Sequence, residues 1–343
     1  MRRRHLLFTL AALLMASPSL AADWSPEAAA RYLDGRQKEW FEWKPALSAD
    51  GPCVSCHTGM TYLLARPALR KALKERAPTM YEKGLLDRLR ANVGAKPAGA
   101  LQSVEAIFAA MFLSGEDAAT TMSAHRQKAF EQLWTLQSSE GSNQGAWRWY
   151  AANLDPWENP ESLYYGTSLA ALAVGSTPAA YRNDAAMRAR MAALTTYLAN
   201  PPTPARLHDR LAMLWASSTL ETLLTKEARR ALVNETFQKQ SADGGWTLEA
   251  LGSWMTHDNA PPHHGSDAYA TAFAAFALQK GGVPSSDARM KKAIAWLKSK
   301  QDPATGAWPA VSMNKQRPPD SMEGRFMQDA ATAFASIVLV ETR

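Results

Sequence analysis

The chain has 343 residues, 46% hydrophobic and 20% charged, with 38 basic against 32 acidic side chains and a formal net charge of +6. That apolar fraction supports a packed core and excludes an intrinsically disordered chain. Charge is evenly spread without a basic tract, so nucleic acid is not an expected partner. Beyond the N-terminal segment no apolar run reaches the ~20 residues that cross a bilayer, so stable membrane insertion is not expected either.

Residues 1–22 read as a secretory signal peptide. Arg2, Arg3 and Arg4 precede the apolar stretch from Leu6 to Met15, and small residues at Ser19, Ala21 and Ala22 precede Asp23. Cleavage near Ala22 predicts a periplasmic protein in which 23–343 form a single domain.

The only cysteines, Cys53 and Cys56, lie in the run Cys53, Val54, Ser55, Cys56, His57. Two cysteines in an exported chain would by default form a disulfide, and a zinc site is the other alternative. The adjacent His57 changes the default. Cys-x-x-Cys-His is the attachment pattern for one covalent c-type haem, each thiol joining a vinyl group and the histidine becoming the proximal iron ligand. Cys53, Cys56 and His57 are therefore the expected cofactor-binding residues.

Hydrophobic spacing predicts helices along the whole remainder. Tyr81, Leu85, Leu89 and Val93 repeat at a helical period, as do Met187, Met191, Leu194 and Leu198. These mark amphipathic outer helices. Segments such as Ala268 to Leu278 and Ala330 to Val340 are apolar on nearly every side, as in helices enclosed by others. Pairing them gives outer 26–43 with inner 56–76, 80–93 with 101–114, and 123–138 with 161–174. Then follow 183–199 with 205–224, 226–240 with 266–280, and 286–300 with 326–341. Six hairpins of this kind predict an all-α fold closed into a ring.

Three segments repeat internally. Gln137 leads to Gly145 and Trp147, Gln240 to Gly244, Gly245 and Trp246, and Gln301 to Gly306 and Trp308. In each, the glutamine can bond the loop backbone and the next helix terminus, while the tryptophan covers apolar surface.

On these repeats the chain resembles the squalene-hopene cyclases and the β-subunits of protein prenyltransferases. That resemblance implies an α6/α6 toroid and, for function, an apolar or terpenoid-like ligand. The catalytic groups of those families do not carry over. The sequence has no Asp-x-Asp-Asp run to protonate a triterpene, and no cysteine outside the Cys53 to His57 motif for a prenyltransferase zinc site.

In a toroid, every connection from an outer to an inner helix opens on one face. Cys53 to His57 lies in the first such loop, and the fifth carries His257, Asp258, His263 and His264. His257, His263 and His264 are thus the candidate catalytic residues, as distal acid or base, and His263 joins His57 as a candidate iron ligand. Met255, Met313, Met322 and Met327 are alternative distal ligands. Glu161, Asp209, Asp267 and Asp329 fall in first turns of inner helices, where capping is the expected role. The third connection is rich in aromatics, from Trp147 and Trp149 through Tyr150 and Trp157 to Tyr164 and Tyr165.

The expected function is electron transfer or haem-dependent oxidoreduction, with a periplasmic redox partner or a small apolar molecule as the interacting species. The competing expectation is a haem-free terpenoid- or glycan-binding toroid, or a lyase using a pair such as His263 and Tyr165.

Overall fold

The computed structural model describes residues 24–48, 51–94, 101–118, 120–257, 260, 264–310 and 312–342. The expected signal peptide and His263 lie outside them. The described chain is predominantly helical. Its elements are α1 (Pro26–Glu42), α2 (Gly59–Ala72), α3 (Met80–Asn92), α4 (Gln102–Phe112), α5 (Ala124–Thr135), α6 (Leu163–Gly175) and the short α7 (Ala179–Arg182). There follow α8 (Arg188–Ala199), α9 (Leu207–Ala216), α10 (Lys226–Gln238), the short α11 (Leu248–Leu251), α12 (Ala268–Lys280), α13 (Ala288–Lys300) and α14 (Phe326–Val340). A small antiparallel hairpin, β1 (Leu47–Ser48) with β2 (Gly51–Pro52), immediately precedes Cys53.

Every expected helix is present, with α9 shorter than anticipated. Its apolar pattern runs on to 224, but the hydroxyls of Ser217 and Thr219 bond the carbonyls of Leu214 and Ala216 and compete with continued helix. Five outer helices begin on side-chain caps, Ser25 for α1, Thr79 with a capping box to Glu82 for α3, Ser123 for α5, Thr225 for α10 and Asp287 for α13, while α8 follows Met187 without one.

The inner helices touch in the order α4, α6, α9, α12, α14, α2, and α1 packs on both α2 and α14. From Ala268 to Leu278 every side chain of α12 is buried, and α6 is buried from Tyr164 to Gly175. Aromatic rings of four inner helices meet in the space between them. Tyr165 stacks on His208 at 5.4 Å, His208 lies 4.8 Å from Phe273, and Phe273 lies 5.1 Å from Phe334.

The three repeats do one structural job. Gln137 donates to the Gly145 and Arg190 carbonyls, Gln240 to those of Gly244 and Arg289, and Gln301 to those of Gly306 and Ser25. Each glutamine thus ties its own loop to the next outer helix. Trp147, Trp246 and Trp308 are fully buried, and each donates its indole N–H to a carbonyl near the end of the preceding helix. The glycines are needed where that neighbour passes. At Gly306, with φ of +81°, an added Cβ would sit 2.4 Å from the Ala28 backbone, and at Gly145 it would sit 2.1 Å from the Ala193 carbonyl oxygen.

Of the first-turn acids, only Asp267 caps its helix, accepting from the Ala270 N–H at 2.9 Å. Glu161 points outward, and Asn159 caps that segment instead. Asp209 and Asp329 are almost fully buried: Asp209 holds Arg206 and His208 at the start of its own helix, and Asp329 holds Arg36 of α1. No described helix is long and apolar enough to cross a membrane.

Candidate functional site

The segment Cys53 to Thr58 is held from both ends. The Cys53 N–H donates to the Ala46 carbonyl at 2.9 Å, and the Trp40 indole donates to the Cys53 carbonyl at 2.8 Å. At the other end the Ser55 hydroxyl accepts from the Thr58 and Gly59 N–H groups, at 3.1 and 3.0 Å. Ser55 thereby serves the start of α2 in place of the N-cap residue Thr58.

Thr58 is free for another task. Its hydroxyl donates to Asp329 at 2.8 Å and so accepts from His57 Nδ1 at 2.9 Å. Asp329 in turn accepts from Arg36 Nε at 2.7 Å, from Arg36 Nη2 at 3.0 Å and from the Tyr32 hydroxyl at 2.8 Å. This chain of bonds fixes the His57 tautomer with hydrogen on Nδ1 and leaves the Nε2 lone pair unclaimed. Phe326 stacks on the imidazole at 3.6 Å and Trp40 meets it edge-on at 5.6 Å, so the ring cannot swing away.

The His57 ring borders two cavities. The wider, about 240 Å3, is lined by Cys53, Cys56 and His57 together with Trp40, Tyr150 and Glu158. The narrower, about 60 Å3, is lined by His57, Trp157, Glu158, Asn314, Arg317 and Met327. A larger surface groove of about 480 Å3 lies elsewhere, beside Tyr164, Tyr197 and Arg206, and contains neither cysteine nor histidine.

Burial sets the protonation states. It pushes the Cys53 thiol up to about 11, with Glu105 adding to the effect, and holds Cys56 well above its ordinary value. It pushes His57 down to about 3, aided by the positive charges of Arg36 and Arg317. A neutral imidazole with a free Nε2 is the form that binds a metal. Both cysteines are free, with no disulfide between them.

Glu158 had no signal in the sequence. Its Oε1 lies 4.0 Å from His57 Nε2, and burial raises its carboxyl to about 7. With His57 neutral, the two face each other without forming an ion pair. Main-chain bonds in both directions between Leu154 and Glu158, at 2.9 and 2.8 Å, close the loop that presents this carboxyl. Asp155 anchors the same loop, accepting from Arg206 Nη1 and the Met255 N–H at 2.6 Å each, while its own N–H donates to Asn314 at 2.9 Å. The adjoining Trp157 sits 6.1 Å from His57 and 5.1 Å from Tyr269.

The structure brings Cys53, Cys56 and His57 onto one cavity. It does not bring His257 there: His257 Nε2 is engaged with the Asn153 carbonyl at 2.6 Å, and its backbone N–H donates to Asn314. His264 is exposed. Of the four expected methionines, Met327 lines the narrower cavity. Among the described residues no group of three or more His, Cys, Asp or Glu side chains is placed to hold a metal ion by itself.

A second buried cluster lies deeper. His208 Nδ1 donates to Asp209 at 2.7 Å and Nε2 accepts from the Tyr269 hydroxyl at 2.7 Å, all three residues being almost fully buried. The sequence marked Asp209 as a first-turn cap but gave no hint of Tyr269 as a member of this cluster.

No protein-family model matches this chain, and no curated protein matches it either.

Proposed function

We propose that this chain is an exported redox protein carrying one haem c on Cys53 and Cys56, with His57 as the proximal ligand. The observation that carries this reading is the hydrogen-bonded path from His57 Nδ1 through Thr58 to Asp329. It leaves Nε2 open on the same cavity as both thiols. A disulfide or an incidental histidine needs no such path. A haem bound there would supply one-electron chemistry at iron.

The chain's own residues then have defined parts. Thr58 and Asp329 orient and polarise His57, Arg36 offsets the buried charge of Asp329, and Phe326 and Trp40 exclude water from the imidazole face. Trp40, Tyr150, Leu101 and Val104 supply the apolar wall of the cavity. High thiol pKa values in the folded chain favour attachment before folding is complete, in keeping with export unfolded into the periplasm.

The scaffold in this proposal is a six-hairpin α/α toroid of the squalene-hopene cyclase type. Its support is the contact order of the inner helices and the bonds from Gln301 back to Ser25, which join the last hairpin to the first. Its partner is a periplasmic electron donor or acceptor, or a small apolar molecule admitted beside the haem.

The test is a pyridine haemochrome assay on protein made with a cytochrome-maturation system. One haem per chain is expected, with loss of all covalent haem in the Cys53→Ser, Cys56→Ser double variant. A wild-type chain that leaves the system without covalent haem removes the proposal.

A further inference from the structure

We infer that Glu158 faces His57 across the iron position and is the second axial ligand, so that the iron is held by one imidazole and one carboxylate. The inference rests on the haem reading above. Its own observation is the separation of 4.0 Å between His57 Nε2 and Glu158 Oε1. Metal bonds to imidazole nitrogen and carboxylate oxygen are each about 2.0–2.2 Å, so the gap accepts a single metal ion with a bond to each side.

Burial supports the same assignment. The two side chains expose only 8% and 20% of their surface, and both border both cavities. No lysine or arginine among the described residues forms an ion pair with Glu158. A carboxylate taken out of water without a cation is costly, and a metal centre in the gap supplies that cation. The backbone is built to keep the carboxyl in place. Reciprocal bonds to Leu154 and the ties from Asp155 to Arg206, Asn314 and Met255 fix the loop to three other parts of the chain.

The two described histidines of the fifth loop, His257 and His264, compete poorly for that place. His257 Nε2 already has the Asn153 carbonyl as its partner, and His264 is exposed. A carboxylate is a weak-field oxygen donor, unlike imidazole or thioether. An iron held in this way is high-spin and exchanges the carboxylate for an incoming molecule more readily than a bis-imidazole centre would.

The test uses the full chain matured with its haem and reads the ferric absorption and electron paramagnetic resonance spectra. The wild type is expected to be high-spin. Glu158→His is expected to convert it to a low-spin bis-imidazole spectrum, a gain that only a residue facing the iron can produce. Glu158→Gln, which keeps the shape of the side chain, is expected to stay high-spin and bind added imidazole about tenfold more tightly, because a competing ligand is gone. A low-spin wild type overturns the assignment. So does a haem-loaded Glu158→His with the wild-type spectrum, or a haem-loaded Glu158→Gln with unchanged imidazole affinity. Wild-type protein with no covalent haem overturns the haem reading itself, a different outcome from haem present with Glu158 silent.

Discussion

Ser25 and Gln301 exchange two hydrogen bonds: the Ser25 N–H donates to Gln301 Oε1 at 2.7 Å, and Gln301 Nε2 donates to the Ser25 carbonyl at 3.0 Å. A third bond runs from Gln301 to the Gly306 carbonyl at 2.9 Å. One side chain therefore fastens the last hairpin to the residue that caps the first helix. Gln301→Ala should lower stability by about 1–3 kcal/mol, since it leaves partly buried backbone groups unpaired. Urea unfolding at neutral pH reads the effect, and an unchanged midpoint would show that the two ends are held together by other contacts.

Gly306→Ala tests the same junction by overpacking. The new methyl would meet the Ala28 backbone at 2.4 Å, and backbone cannot move aside as a flexible side chain can. A loss of about 1–3 kcal/mol is expected. The same substitution at Gly141, whose added Cβ meets nothing within 4 Å, should cost only the strain of its positive φ.

Asp329→Ala should be more damaging than either, with a total cost of about 3–5 kcal/mol, because it strands the buried Arg36 guanidinium without its carboxylate. Denaturant unfolding measures this directly. A cost below about 1 kcal/mol would mean that Arg36 finds compensation from Glu39, its other partner.

Thr58 gives a separate handle on His57. Thr58→Val removes the hydroxyl between His57 Nδ1 and Asp329, whereas Thr58→Ser keeps it. A less polarised imidazole donates less charge to iron, so in haem-loaded protein the valine variant should have a higher midpoint potential and the serine variant a potential near wild type. Equal potentials in all three proteins would show that the path to Asp329 only supports the fold.

The sequence repeats were legible because their chemistry is local in pattern. A glutamine followed by a glycine two residues before a tryptophan satisfies one loop and one neighbouring helix, and the same set recurs three times. Cys53, Cys56 and His57 were legible for a similar reason. Asp329 was not: its first-turn position suggested a cap, while its actual partners, Tyr32, Arg36 and Thr58, come from the opposite end of the chain. Glu158 was hidden further, since it reaches His57 only through a loop anchored by Asp155 to three distant segments. Pairings of that kind leave no periodicity in the sequence.

His208 supplies a pH prediction. Burial holds its folded-state pKa below the ordinary value, although the bond to Asp209 opposes the shift. The folded chain therefore keeps His208 neutral, while the unfolded chain takes up a proton below pH ~6.5. Stability from this source is present above that pH and falls by about 1.4 kcal/mol per unit as the pH drops toward the folded pKa. His208→Gln lacks this dependence, so the stability gap between wild type and variant should narrow on acidification from pH 7 to pH 5. A constant gap would mean that His208 titrates alike in both states.

Intact mass measured under denaturing conditions is the most direct test of the proposed covalent haem on Cys53 and Cys56. Wild-type protein matured in a cytochrome-producing host should carry the mass of one haem that survives unfolding and acid extraction, with the added mass mapping to the peptide containing both cysteines. A wild-type chain bearing two unmodified thiols or a disulfide, with no residual haem absorbance, would contradict the account.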